Sequence, residues 1–247
     1  MSDAIADPGR LREWIGRERE DEDVAHVRHA RLMAATVGRE GPPLEAGDAP
    51  PPVWHWIYFL EGSPPARLGR DGHPARGAFL PPVPLANRMW AGGRVDFEAP
   101  VPLGAPVRKR SRIVAVDAKR GRSGPLVFVT VRHEVFANGA RCIAEEHDIV
   151  YRDPPPAAGT PAPVTDEPPP GEVRRTVEPD TTLLFRYSAL TFNGHRIHYD
   201  LDYCRRVEGY ANLVIHGPLV ATLLAGFAQE AGGGALRRFE YRALKPA

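Results

Sequence analysis

The clearest periodic signal runs from Arg108 to Asp153, where RKRSRIVAVDAKRGRSGPLVFVTVRHEVFANGARCIAEEHDIVYRD alternates apolar and polar residues over three segments. Alternation sends every second side chain to one face, so this stretch predicts an antiparallel meander. Gly121, Gly124 and Asn138-Gly139 punctuate it, and the Asn-Gly pair suits a two-residue hairpin joining Val131–Val135 to Arg141–Ala144. Arg94–Phe97 is a further short alternating run. Upstream, Leu11 to Val37 is rich in helix formers and reads as a helix or helix pair. Downstream, Thr181 to Tyr187 reads as a strand and Ser188 to Asp200 as irregular. Gly217 to Ala231 reads as a helix: Pro218 fits its first turn, Leu219, Val220, Leu223, Leu224 and Phe227 supply its apolar positions, and three glycines end it. Its first two turns are apolar on most sides, which predicts burial against a curved sheet.

Proline divides this pattern. Of 27 copies, 13 are concentrated in EGPPLEAGDAPPPVW and in DPPPAAGTPAPVTDEPPPGE, and the second cluster has almost no large apolar residue. Such a stretch predicts an extended linker. The expected organisation is therefore a domain over 1–152, a linker over 153–172 and a domain over 173–247. Each half carries a helix and antiparallel strands, an α+β pattern. Only Leu236 to Ala247 follow the last helix, room for one strand, so the second lobe reads as short of strands. An unpaired edge there invites pairing with another chain, whence an expected homodimer.

Charge and cysteine content narrow the function classes. With 32 basic and 31 acidic residues the formal charge is +1, too weak a field to call for nucleic acid. Cys142 and Cys204 cannot make a disulfide scaffold or a redox CxxC pair, and they read as reduced thiols of a cytoplasmic protein. The N-terminus is charged from its tenth residue and lacks a signal-peptide core, and no apolar run approaches the ~20 residues of a membrane span. Neither export nor a membrane partner is expected.

The densest polar group is Phe192-Asn193-Gly194-His195-Arg196-Ile197-His198-Tyr199-Asp200, with His216-Gly217 at the start of the buried helix. A single histidine is more often a satisfied structural residue, but an amide, two imidazoles and a carboxylate within eight residues collect proton-transfer groups at the edge of a core. His195 and His198, two residues apart near Asp200, invite comparison with zinc sites, yet the helical glutamate of such motifs is absent and no metal is expected. Ser188 lies in YSALT rather than in a Gly-x-Ser-x-Gly elbow, so nothing marks it as a nucleophile.

FRYSALTFNGHRIHYDLDYC followed by YANLVIHGPLVATLLAGFAQ resembles the hydratase-2 motif of the MaoC-like hotdog family. The resemblance implies a double hotdog, an antiparallel sheet wrapped around a central helix in each half, with the second lobe apparently truncated. It also implies a hydro-lyase acting on an acyl-CoA thioester, with no separate cofactor. In register, His198 falls on the family's catalytic histidine, Asp200 on the aspartate after it, and His216-Gly217 on the pair that opens the central helix. Gly217 N–H would polarise the thioester oxygen, helped by the helix dipole.

Asn193 stands where the family carries its catalytic aspartate, and an amide can hold water but cannot accept its proton at neutral pH. The NGHRIHYD form resembles a branch that includes mitochondrial-type 3-hydroxyacyl-thioester dehydratases and bacterial mesaconyl-C4-CoA (3-methylfumaryl-CoA) hydratases. The expected catalytic set is His198, Asn193 and Gly217, supported by His195, Asp200 and His216, with Arg196 toward a distal carboxylate. Rival readings are a non-catalytic acyl-CoA-binding module and a thioesterase. WHWIYFLE and GHPARGAFLPPVPLANRMWAGGRVDF resemble the first repeat of the same branch, a lobe without the catalytic pair. Leu80–Pro84 and Arg88–Gly93 read either as a substrate wall or as a proline-stiffened surface loop.

Overall fold

The computed structural model describes residues 8–121, 124–153 and 173–243. The alternating region forms the expected meander: β3 (Pro106–Gly121), β4 (Gly124–Ala137) and β5 (Ala140–Arg152) pair antiparallel in sequence order. Asn138 and Gly139 close the β4–β5 hairpin with φ of 51° and 79°, the left-handed pair a two-residue turn needs. Arg94–Phe97 is the end of a longer strand, β2 (Asn87–Phe97), which pairs with β5. With β1 (Glu18–Val24) and β6 (Arg238–Arg242), these strands make one six-stranded sheet in the order β1-β3-β4-β5-β2-β6.

Two expectations are corrected. Of the helix or helix pair expected over Leu11–Val37, two helices form, α1 (Pro8–Arg12) and α2 (Val27–Thr36), but the strand β1 stands between them. EREDEDV has helix-forming residues, but its acids lie against the basic start of β3, with Glu20 2.6 Å from Arg108. Cross-strand charge and pairing override local propensity here. Thr181–Tyr187 is not a strand either. It belongs to α3 (Thr181–Leu190), whose Asp180 cap accepts from Leu183 N at 2.7 Å and which buries Leu184, Tyr187 and Leu190 along one stripe. The cap and the three-residue spacing outweigh the β-branched and aromatic content.

The last helix is as expected: α5 spans Gly217–Gly232, with Pro218 in its first turn and Gly233 in a left-handed cap at φ 65°. Leu219 and Ala225 face a core that includes Met33 from α2, Val95, Val135 and Ile143 from the sheet, and Tyr187 from α3. Its other side is open, and Leu224 is 50% exposed. The 173–243 segment thus contributes α3, α5 and one strand, β6, which extends the sheet of the first half by pairing with β2. Gly92 and Gly93 permit that pairing, because a Cβ on Gly92 would come within 2.5 Å of the Tyr241 carbonyl oxygen. The proposed linker, apart from Asp153, lies outside the described residues. Among the described residues no helix is long and apolar enough to cross a membrane.

Candidate active site

The motif segment is shaped by its own short-range bonds. After α3, Phe192 turns through φ 48°, Asn193 N donates to Ser188 O, and the Asn193 side-chain oxygen accepts from His195 N at 3.0 Å. A single 3-10 turn over Arg196–His198 follows. Asp200 then caps the short α4 (Leu201–Tyr203) by accepting from Tyr203 N at 2.9 Å, and it pairs with Arg196 at 2.7 Å. Arg196 also stacks on Tyr203 and donates to Arg70 O. Its guanidinium is thus held by Asp200 and Tyr203 of the motif and by Arg70 of the first half, and Asp200 also serves as a helix cap.

His198 is buried and donates from Nδ1 to the Val214 carbonyl at 2.7 Å, since a carbonyl can only accept. That bond fixes the tautomer and leaves Nε2 with a free lone pair. Burial pushes the His198 pKa down to about 4, so the ring is neutral near pH 7. His216, fully buried as the N-cap of α5, stacks on His198 at 3.6 Å between centroids, and its Nε2 meets Ser188 Oγ at 2.8 Å. Ser188 therefore supports an imidazole. Gly217 is the first residue of α5, where amides have no intrahelical acceptor. A Cβ there would stand 3.1 Å from the Trp90 ring.

A loop from the first half closes over this motif. Asp71 O accepts from Arg196 N at 2.9 Å, and Gly72, at φ 85°, lies so close to the Gly194 carbonyl that a side chain there would overlap it. The loop brings His73 to a ring distance of 4.3 Å from His195, which in turn lies 5.4 Å from His198. His73 Nδ1 sits 3.4 Å from Asp71 Oδ2, with Arg88 at 3.9 Å on the same oxygen. Burial alone would raise the Asp71 carboxyl, but hydrogen bonds from His73 and the Arg88 charge outweigh it and hold it ionised. Burial lowers the His73 and His195 pKa values.

Motif and loop border a cleft of about 420 Å³, lined by His73, Asn193, Pro218, Trp90 and Trp56, among others. Trp90 lies on β2, in the Arg88–Gly93 stretch that the sequence leaves open between a substrate wall and a surface loop. The cleft's far side is polar and comes from the sheet: Lys109 on β3, His133 on β4, Glu145 and His147 on β5. Glu145 is buried, accepts from Trp56 Nε1 at 2.9 Å and His55 Nε2 at 3.0 Å, and lies 3.2 Å from His147 Nε2. Burial opposes its charge, yet the neighbouring histidines hold its pKa well below the usual range. Two groups, Asp71 with His73 and His195, and His133 with Glu145 and His147, bring three donor atoms within 4.8 Å. In both, the carboxylate already accepts N–H bonds from the chain itself.

Sequence reading concentrated on the Phe192–Gly217 motif and missed Asp71, His73 and the sheet cluster. A signal for the second existed: Glu145 and His147, two apart on a strand, share a face. Nothing local placed His73 beside His195.

The sheet, the helix on it and the histidine-lined cleft define a hotdog-type α+β protein equipped for proton transfer. A family model described as "Hydroxyacyl-thioester dehydratase type 2" matches residues 53–247, and the chain belongs to that family. It is 47% identical over 236 residues to the mesaconyl-C(4)-CoA hydratase of Chloroflexus aurantiacus, covering 94% of this chain and 83% of that protein. Identity to the mitochondrial hydroxyacyl-thioester dehydratase type 2 of Schizosaccharomyces pombe is 27%, over 79% and 73% of the two chains. Among solved structures, a MaoC-like dehydratase superposes with a TM-score of 0.67 at 16% identity, over 96% and 84% of the chains. A Mycobacterium tuberculosis protein described as a double hotdog fold superposes at 0.56 with 13% identity, over 94% and 80%.

Proposed function

We propose that this chain adds water reversibly across the double bond of mesaconyl-C4-CoA, forming a 3-hydroxyacyl thioester. The observation that carries the reaction type is the pairing of His198, neutral with a free Nε2, and the unbonded amide at the start of α5. The substrate follows the 47% identity to the Chloroflexus hydratase, and Lys109 is the cation among the cleft's lining residues that can meet an acyl carboxylate. In this reading Gly217 N–H bonds the thioester oxygen as negative charge develops, Asn193 holds the water through its amide, and His198 exchanges the proton with the acyl chain. His195, Asp200 and His216 position these groups. The bonds balance: water oxygen joins the β-carbon, the π pair forms the α-carbon bond to hydrogen, and one proton moves. We assign no metal, because the carboxylate of each donor cluster, Asp71 and Glu145, already accepts N–H bonds from the chain, and turnover should survive dialysis against EDTA. Cytoplasmic location and homodimerisation belong to the same proposal.

The test is incubation with mesaconyl-C4-CoA and with crotonyl-CoA, following enoyl absorbance and free thiol. Loss of absorbance without thiol release supports hydration; thiol release would mean a thioesterase, and binding without turnover a carrier module. His198→Ala should lower kcat by ~10²–10⁴-fold with thioester binding nearly intact. Asn193→Ala should cost less, about 1–3 kcal/mol for an unpaired buried partner. Wild-type turnover in a folded His198→Ala protein would refute the His198 role.

A further inference from the structure

Asn193 leaves the reaction one proton acceptor short, and a second carboxylate–imidazole pair lies against the same motif. Asp71 and His73 reach it on a loop bonded to the motif's backbone at Arg196 and packed on Gly194. His73 lines the same cleft as Asn193, the residue assigned to hold the water. Asp71 accepts from His73 N at 3.1 Å, and its other carboxylate oxygen lies 3.4 Å from the ring Nδ1. His195 stands between His73 and His198, at 4.3 Å and 5.4 Å between ring centroids.

We propose that His73, anchored by Asp71, is the second proton-transfer residue of this hydration and replaces the carboxylate lost at Asn193, with His195 bridging it to His198. The inference rests on the hydratase reading above. His73 accepts a proton from the water as its oxygen bonds to the β-carbon, and the ionised Asp71 holds the resulting imidazolium charge. The proton passes through His195 to His198, which delivers it to the α-carbon. One water is added, and all three imidazoles end neutral, as they began. Dehydration runs the same path backward.

The test uses His73→Ala and Asp71→Asn in the full chain, assayed with mesaconyl-C4-CoA with and without added imidazole. His73→Ala should lose ~10²–10⁴-fold in kcat with KM changed less than about threefold, and imidazole should restore part of the rate. Asp71→Asn should lose less and keep its circular dichroism. A His73→Ala enzyme with kcat near wild type, a loss confined to KM, or a lost kcat that imidazole fails to raise would overturn the assignment, and would leave the hydratase reading standing if wild type turns over. Absence of wild-type hydration would remove both.

Discussion

Three imidazoles of the motif are buried in their neutral form, and this makes stability depend on pH. His198 binds its proton at about 4 in the folded chain and near 6.5 when unfolded. Between those values the unfolded state holds more protons, so stability is complete above about 6.5 and is lost as pH falls toward 4. The His198 contribution is on the order of 3 kcal/mol, and His195 and His216, also lowered by burial, act in the same direction. Urea midpoints should drop steadily from pH 7 to pH 4.5; a flat profile would contradict the burial of these rings. The concentration of polar groups at Asn193–Asp200 was plain in the sequence, because four polar residue types fell within eight positions. The settings of Arg196 and Asp200 were not, because i,i+4 pairing and helix capping depend on turns that only the folded loop makes.

At the level of elements, the strands and α5 were readable because their periodicities are long and bounded by glycine or Asn-Gly. β1 and α3 were misread for opposite reasons. The acid-rich β1 looks helical until the basic face of β3 is beside it, whereas α3 has strand-like residues whose conformation its cap decides. Asp180→Ala should therefore destabilise the protein by about 1 kcal/mol in urea unfolding, with no change in KM, since the cap lies on an exposed helix end. Gly217→Ala tests the start of α5 differently. Alanine suits a helix, but its methyl would press on Trp90 at 3.1 Å, where the neighbouring ring must give way. Turnover should fall while far-UV circular dichroism stays unchanged; full activity would show that the amide's position does not matter.

Considered as a whole, the molecule builds its cleft from distant parts of the chain. The sheet of the first half supplies the polar wall, the loop at Asp71 supplies His73, and the last third supplies the motif and α5. No local pattern could reveal that assembly, since Asp71 and the motif are far apart in sequence and meet through backbone contacts. If the wall meets the acyl carboxylate, Lys109→Met should raise KM for mesaconyl-C4-CoA more than for crotonyl-CoA; equal effects on both would remove the wall from substrate selection.

The contact between the Arg196 guanidinium and Arg70 O closes a loop of 126 residues. Closing so long a loop is entropically costly and comes after local hairpins and helices in the order of folding events. On refolding from denaturant, helix and sheet signals should therefore return ahead of enzymatic competence, and the lag between them would time the docking of the Asp71 loop onto its motif.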